Sequence, residues 1–165
     1  VSLYNDNSSE EWQWFEEYLT YSNSKLSEAL FYSYLATHDE KYLEVAKSTL
    51  DFLISNTFEN DMFCPIGQKG WYIKNGHRAH FDQQPVETAS ILQTLVLAHK
   101  VTKHDKYGKY ANTAFWWFLG DNYLNQMIYD ESSGGCHDGL GKHSININQG
   151  AESTVCYLLA RLSLL

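Results

Sequence analysis

Proline, cysteine and positive charge are all in short supply. The 165 residues contain two prolines, where average composition would give roughly eight. That scarcity argues against a turn-dense β-sandwich and for long helices. Three cysteines, Cys64, Cys136 and Cys156, form no CxxC pair and no even-numbered framework. A disulfide-stapled secreted domain is thereby disfavoured, and a reducing, cytoplasmic location is expected. Twelve Lys and Arg face twenty Asp and Glu, a formal net charge of −8, and no basic run occurs. Such a surface repels phosphates, so a nucleic-acid partner is not expected. Long apolar runs are missing too. The longest, Ala114-Phe115-Trp116-Trp117-Phe118-Leu119, falls far short of the ~20 residues that span a bilayer. Residues 1–7 are polar and do not read as a secretory leader.

What the chain does have is apolar surface arranged at helical spacing. Hydrophobic residues make up 44% and aromatics 15%, ample to offset the entropy of ordering, and the length suits one domain, residues 1–165. Periodicity predicts a short helix over 9–19 on Trp12, Phe15 and Leu19, and a second over 24–36. Asp39 caps a third, carried by Tyr42, Val45, Ala46, Thr49, Leu50 and Leu53. Helices over 85–101, 105–118 and 149 onward complete the set. Both tryptophans of the fifth, Trp116 and Trp117, read as core.

Two long loops separate these helices, 59–81 and 120–148. Nine of the ten glycines and four of the seven histidines lie in them or at their edges. Loops of this length are uncommon in compact domains unless they are functional or disordered, and the aromatics within these argue against disorder. An internal repeat joins the halves. Tyr42, Leu50 and Leu53 recur 65 residues later as Tyr107, Phe115 and Phe118, each set following a His-Asp pair. Gln84-Pro85-Val86-Glu87 recurs at the same offset as Gln149-Gly150-Ala151-Glu152. The unit is a loop, a helix, a tight turn and a return helix: an αα-hairpin that buries its stripe against its neighbours. About two and a half such units leave an apolar side bare, which predicts packing of Trp12, Trp14 and Phe15 on the repeats or on another chain.

Several strings now line up with a known family. Trp12-Gln13-Trp14-Phe15-Glu16, Leu19-Thr20-Tyr21-Ser22-Asn23 and Phe81-Asp82-Gln83-Gln84-Pro85 are three of them. Gly134-Gly135-Cys136 with Asp138-Gly139-Leu140, and Asn148-Gln149-Gly150-Ala151-Glu152-Ser153-Thr154, are the others. From about Trp12 to Leu159 the chain resembles the α/α-toroid, six-hairpin-glycosidase-like domain found alone or fused to bacterial glycosyltransferases. The resemblance implies an all-α fold of antiparallel αα-hairpins, part of an (α/α) toroid, with this chain corresponding to its second half. It also implies a sugar or oligosaccharide ligand, and as partners a glycosyltransferase domain or the missing half of the toroid.

The candidate residues each carry two readings. With Gln84 as N-cap and Pro85 at the first helical position, Glu87 can bond back to the N-cap amide, and Gln149 and Glu152 follow suit. Glutamine caps poorly, however, so the same four side chains also read as lining a shared cavity and holding sugar hydroxyls. Asp82 and Asp138 are the acid/base candidates, since glycoside hydrolysis needs two carboxyls about 5–9.5 Å apart. Their alternative is an N-cap and a turn former with Gly139. Trp71 and Tyr72 on a glycine loop suit sugar stacking, or else Trp71 plugs the loop onto the helices. Arg78 reads as a bidentate anion partner or as paired to Asp82, and His137 joins the substrate-binding set beside Asp138. The histidines His77, His80, His137 and His143 with Cys136 match no dense metal spacing, so neither metal nor cofactor is expected.

These readings converge on a carbohydrate-active domain of glycosidase type. The competing class is a non-catalytic glycan-binding or scaffolding module accompanying a glycosyltransferase, and a protein-interaction solenoid is third. The repeat places the two Gln-x-x-Glu helix starts on one rim, with the Trp71 and Asp138 loops converging over them. The expected pocket is concave, acidic and aromatic-edged, suited to a neutral or cationic sugar rather than a polyanion.

Overall fold

A computed structural model describes all 165 residues, Val1–Leu165. Six α-helices dominate: α1 (Ser2–Asn7), α2 (Ser24–Thr37), α3 (Glu40–Thr57), α4 (Pro85–Thr102), α5 (Asp105–Trp116) and α6 (Ala151–Ser163). A 3-10 turn, Trp117–Leu119, prolongs α5. Six two-residue strands pair as three antiparallel ladders. β1 (Tyr18–Leu19) joins β4 (Tyr72–Ile73), β2 (Phe58–Glu59) joins β3 (Met62–Phe63), and β5 (Gly139–Leu140) joins β6 (Ile145–Asn146). The class is all-α, and the ladders pin loops. No helix is long and apolar enough to cross a membrane.

The hairpins follow the repeat. α2 packs on α3, α4 on α5, and α2, α4 and α6 lie side by side as a row, with α3 and α5 behind it. Each hairpin turn uses one left-handed residue, His38 at φ +56° and Lys103 at φ +60°, placed 65 positions apart. The bonding around them repeats as well. Thr37 donates its hydroxyl to the Ser33 carbonyl and accepts from the Asp39 amide; Thr102 does the same with Ala98 and His104. Asp39 caps α3 by accepting from the Lys41 amide at 3.1 Å. Twenty-nine buried apolar residues form one contiguous core between the two layers.

Two local expectations are corrected. Residues 9–19 are not helical: Ser9 and Trp12 exchange backbone bonds across a tight turn, and the segment ends in β1. The helix forms earlier, at Ser2–Asn7. Trp12, Trp14, Phe15 and Leu19 are nevertheless all buried, as expected of a segment packed on the repeats. Four bulky side chains at these spacings do not share one helical stripe, so an irregular strap buries more aromatic surface than a helix would. Trp12 and Trp14 both meet Phe52 of α3, at ring centroid distances of 5.1 and 6.4 Å. The other correction concerns α5. Trp117 is fully buried, but Trp116 is 54% exposed, because adjacent helical residues point about 100° apart. On the far side of the row α6 leaves Val155, Leu158, Leu159 and Leu162 exposed, and α2 leaves Leu26 and Leu35 exposed.

Candidate functional site

The two long loops meet over the starts of α4 and α6. The first folds back on itself, with the Gln68 amide donating to the Asp82 carbonyl and that of Lys69 to Phe81, both at 2.9 Å. The second is sewn to it by reciprocal bonds between Gln83 and Leu140, at 2.8 and 2.9 Å. Gly139 makes this seam possible, because a Cβ there would lie 2.6 Å from the Gln83 carbonyl oxygen. The Gln83 side chain locks the seam to the core. Its amide oxygen accepts from buried Trp117 Nε1 at 2.8 Å and its amide nitrogen donates to the His80 carbonyl at 3.0 Å.

Between the loops lies an open cleft of about 390 Å³. Gln68, Lys69, Asp82 and Gln84 form one wall; Asp138 and the β5–β6 hairpin with Lys142, His143, Ser144 and Asn146 form the other. A second cleft, of about 410 Å³, shares Gln84, Asp138 and Asn146 and extends to Glu152 and Ser153. The two helix starts thus lie on one rim, and Asp82 and Asp138 share one cleft. Its character differs from expectation. Two lysines balance the two aspartates, and none of its twelve lining residues is Phe, Tyr or Trp. The loop aromatics pair elsewhere: Trp71 with Tyr21, Tyr72 with Trp12 and Phe81 with Tyr123, none of them lining this cleft.

Asp138 is tightly held. One oxygen accepts from the Gly150 amide and the Ser153 hydroxyl, each at 2.7 Å, and the other accepts from the Asn148 side chain. Gly150 occupies the N-cap of α6 and has no side chain, so a carboxylate twelve residues upstream does the capping. Burial alone would raise the Asp138 pKa, but the bonds from Ser153, Asn148 and Gly150 outweigh it and hold the carboxyl below its ordinary value. Asp82 has one ion-pair partner, Lys69 Nζ at 3.1 Å. Gln84 sits at the N-cap of α4 without a side-chain capping bond and donates its amide to the Gln68 side chain.

The other candidates are placed elsewhere. Glu87 is 8% exposed and turns away from the cleft. It makes no capping bond to Gln84; instead its carboxyl accepts from the Ser22 amide at 2.6 Å, and burial drives its pKa from near 4.5 to about 8. Gln149 bridges Ser133 and Asp130 at 2.8 and 2.9 Å. Trp71 is half-buried against Tyr21, ring centroids 6.2 Å apart. Tyr72 pairs with Leu19 and stands edge-on to Trp12 at 5.1 Å. Arg78 is a clamp beneath the loop: it donates to the carbonyls of Asn56 and Cys64 and to the Glu59 carboxylate, not to Asp82. His137 Nδ1 lies 3.1 Å from the Ile147 carbonyl. No three His, Cys, Asp or Glu side chains gather as a metal site. Burial pushes Cys136 up to about 12 and Cys156 up to about 11, so neither is a thiolate at neutral pH.

The cleft also holds Gln68, Lys69, Lys142, Ser144 and Asn146, which sequence reasoning missed, and His143, which it weighed only as a metal ligand. The available signal was a hairpin of Gly139-Leu140 against Ile145-Asn146 around a short polar turn.

No family model matches the chain, and none of the curated proteins does. Solved structures do. An α-mannanase of glycoside hydrolase family 76 from Bacteroides thetaiotaomicron superimposes with a TM-score of 0.63 at 19% identity, over 88% of this chain and 38% of its own. A family 76 mannosidase from the same organism gives 0.62 at 17%, over 86% and 37%. A D-mannose isomerase gives 0.64 at 18%, over 86% and 35%. The fold is a partial α/α toroid. The chain spans little more than a third of the length of each of these structures.

Proposed function

We propose that the cleft between the loops binds a sugar and that the chain is a carbohydrate-active domain of glycosidase type. The observation that carries this reading is the convergence of Asp82, Gln84 and Asp138 with Gln68 and Asn146 in one open polar cleft. Amide and carboxylate groups over two helix starts offer the mixed donors and acceptors that sugar hydroxyls need. The likeness to two family 76 enzymes and a mannose isomerase supports mannose-containing glycans as the first ligands to try. In a hydrolytic mechanism Asp138, kept ionised by its three donors, is the base or nucleophile, and Asp82, across the same cleft and ion-paired to Lys69, is the second carboxyl of the pair. Three unpaired thiols support a cytoplasmic location.

One observation favours a second reading. Both oxygens of Asp138 are already engaged, Oδ1 at the start of α6 and Oδ2 by the Asn148 side chain. That suits a non-catalytic glycan-binding or scaffolding module, of the sort that accompanies a glycosyltransferase. The exposed stripe of Val155, Leu158, Leu159 and Leu162 then offers a seat for further hairpins of the toroid. Titration with α-mannobiose, alongside reducing-end release from α-mannan, separates these readings. Binding with release that Asp82→Asn abolishes supports the enzyme. Binding without release supports the module, and no binding of any sugar overturns the cleft reading.

A further inference from the structure

We infer that the sugar taken by this cleft carries one anionic substituent, a carboxylate or a phosphate, and that Lys142 receives it. The inference rests on the sugar-binding reading above and deepens it. Four charged side chains line the cleft. Lys69 and Asp82 neutralise each other at 3.1 Å. Asp138 keeps its charge but is held by Asn148, Ser153 and the amide at the start of α6 rather than by an ammonium. Lys142 alone is left without a carboxylate partner, since the five ion pairs of the chain do not include it.

The position of Lys142 is built rather than incidental. It stands on the four-residue turn between β5 and β6, closed by a 2.9 Å bond from the Gly141 amide to the Ser144 carbonyl. Gly141 lets the turn approach the opposite wall: a Cβ there would lie 3.0 Å from the Ser144 carbonyl and 3.3 Å from Asp82 Oδ1. The turn therefore brings Lys142, His143 and Ser144 to the cleft wall, and each has a side chain able to donate to an oxyanion. The chain as a whole carries −8, so a polyanion is repelled while a single negative group finds one unpaired cation. An acidic pocket for neutral or cationic sugars is replaced by a charge-balanced cleft with one free positive end.

Calorimetric titration of the full chain with mannose, mannuronic acid, mannose 6-phosphate and inorganic phosphate, at matched ionic strength, tests this. Both acidic sugars should bind about tenfold more tightly than mannose, the effect of one charge-assisted contact. The two acids distinguish a carboxylate from a phosphate preference. Lys142→Ala should abolish the advantage and Lys142→Arg retain it, with melting temperatures unchanged because the residue is exposed. Equal affinity for mannose and both acids, or an advantage that survives Lys142→Ala, overturns the inference and leaves the sugar site standing. Phosphate binding as tight as the sugar phosphate overturns it as a statement about sugars. Failure of every sugar, with or without phosphate binding, overturns the sugar-site reading itself.

Discussion

Glu87 should make the stability of this fold fall as pH rises through neutrality. Its carboxyl is buried at the start of α4, with the Ser22 amide as its hydrogen-bond partner. Desolvation raises its pKa from near 4.5 to about 8, against the smaller opposing effect of that bond. The folded protein therefore keeps the proton where the unfolded chain has released it. A group raised in this way contributes its full stability below about 4.5 and loses it progressively until about pH 8. Each pH unit in that window costs about 1.4 kcal/mol, so the loss between pH 5 and pH 8 is about 4 kcal/mol. That is a large share of the roughly 5–15 kcal/mol that holds a domain together. Glu87→Gln keeps an acceptor for the Ser22 amide and removes the ionisation. Urea unfolding of both proteins at pH 5 and pH 8 should show the variant gaining about 4 kcal/mol relative to wild type across the interval. All other groups titrate alike in the pair and cancel. A stability difference that does not change with pH would refute the reasoning, because the carboxyl would then be ionising freely in the fold.

Asp138→Ala removes the acceptor of the Gly150 amide and the Ser153 hydroxyl, and should cost about 2–4 kcal/mol, roughly 4–16 °C in Tm. Because the Asp138 pKa is held low, its stabilisation is present above the ordinary aspartate range and lost as pH falls, so the Tm gap between wild type and variant should narrow in acid. Arg78→Met strips the Asn56 and Cys64 carbonyls and the Glu59 carboxylate of their donor, and should cost about 2–4 kcal/mol in urea melts without changing sugar affinity. Trp71→Ala should lower Tm through lost packing on Tyr21 while leaving sugar titrations unchanged, since Trp71 does not line the cleft.

The hairpins were legible because helices are local. Leu50 and Leu53, three apart, mark one stripe, and the repeat that carries Leu50 to Phe115 reappears as one turn built twice, with Thr37 and Thr102 making the same bonds. The strap over Trp12, Trp14 and Phe15 was read correctly as buried and incorrectly as helical, because burial follows composition whereas conformation followed the shape of the α3 surface. Asp82, Gln84 and Asp138 were singled out from motif and loop position, and they line one cleft. What sequence could not separate was direction. Glu87 and Glu152 hold equivalent places in the repeat, yet one is buried under the Ser22 amide and the other faces a cleft. Their difference comes from the neighbour: α2 and the preceding strap cover the start of α4, and no corresponding cover lies over the outer side of α6. Likewise nothing in Lys142 or Lys69 marked them, because a lysine on a polar turn is ordinary until another loop, 70 residues away in sequence, is folded against it. Local periodicity determines the elements; which side chains meet, and which charge is left unpaired, is decided only when the two loops close over the helix row.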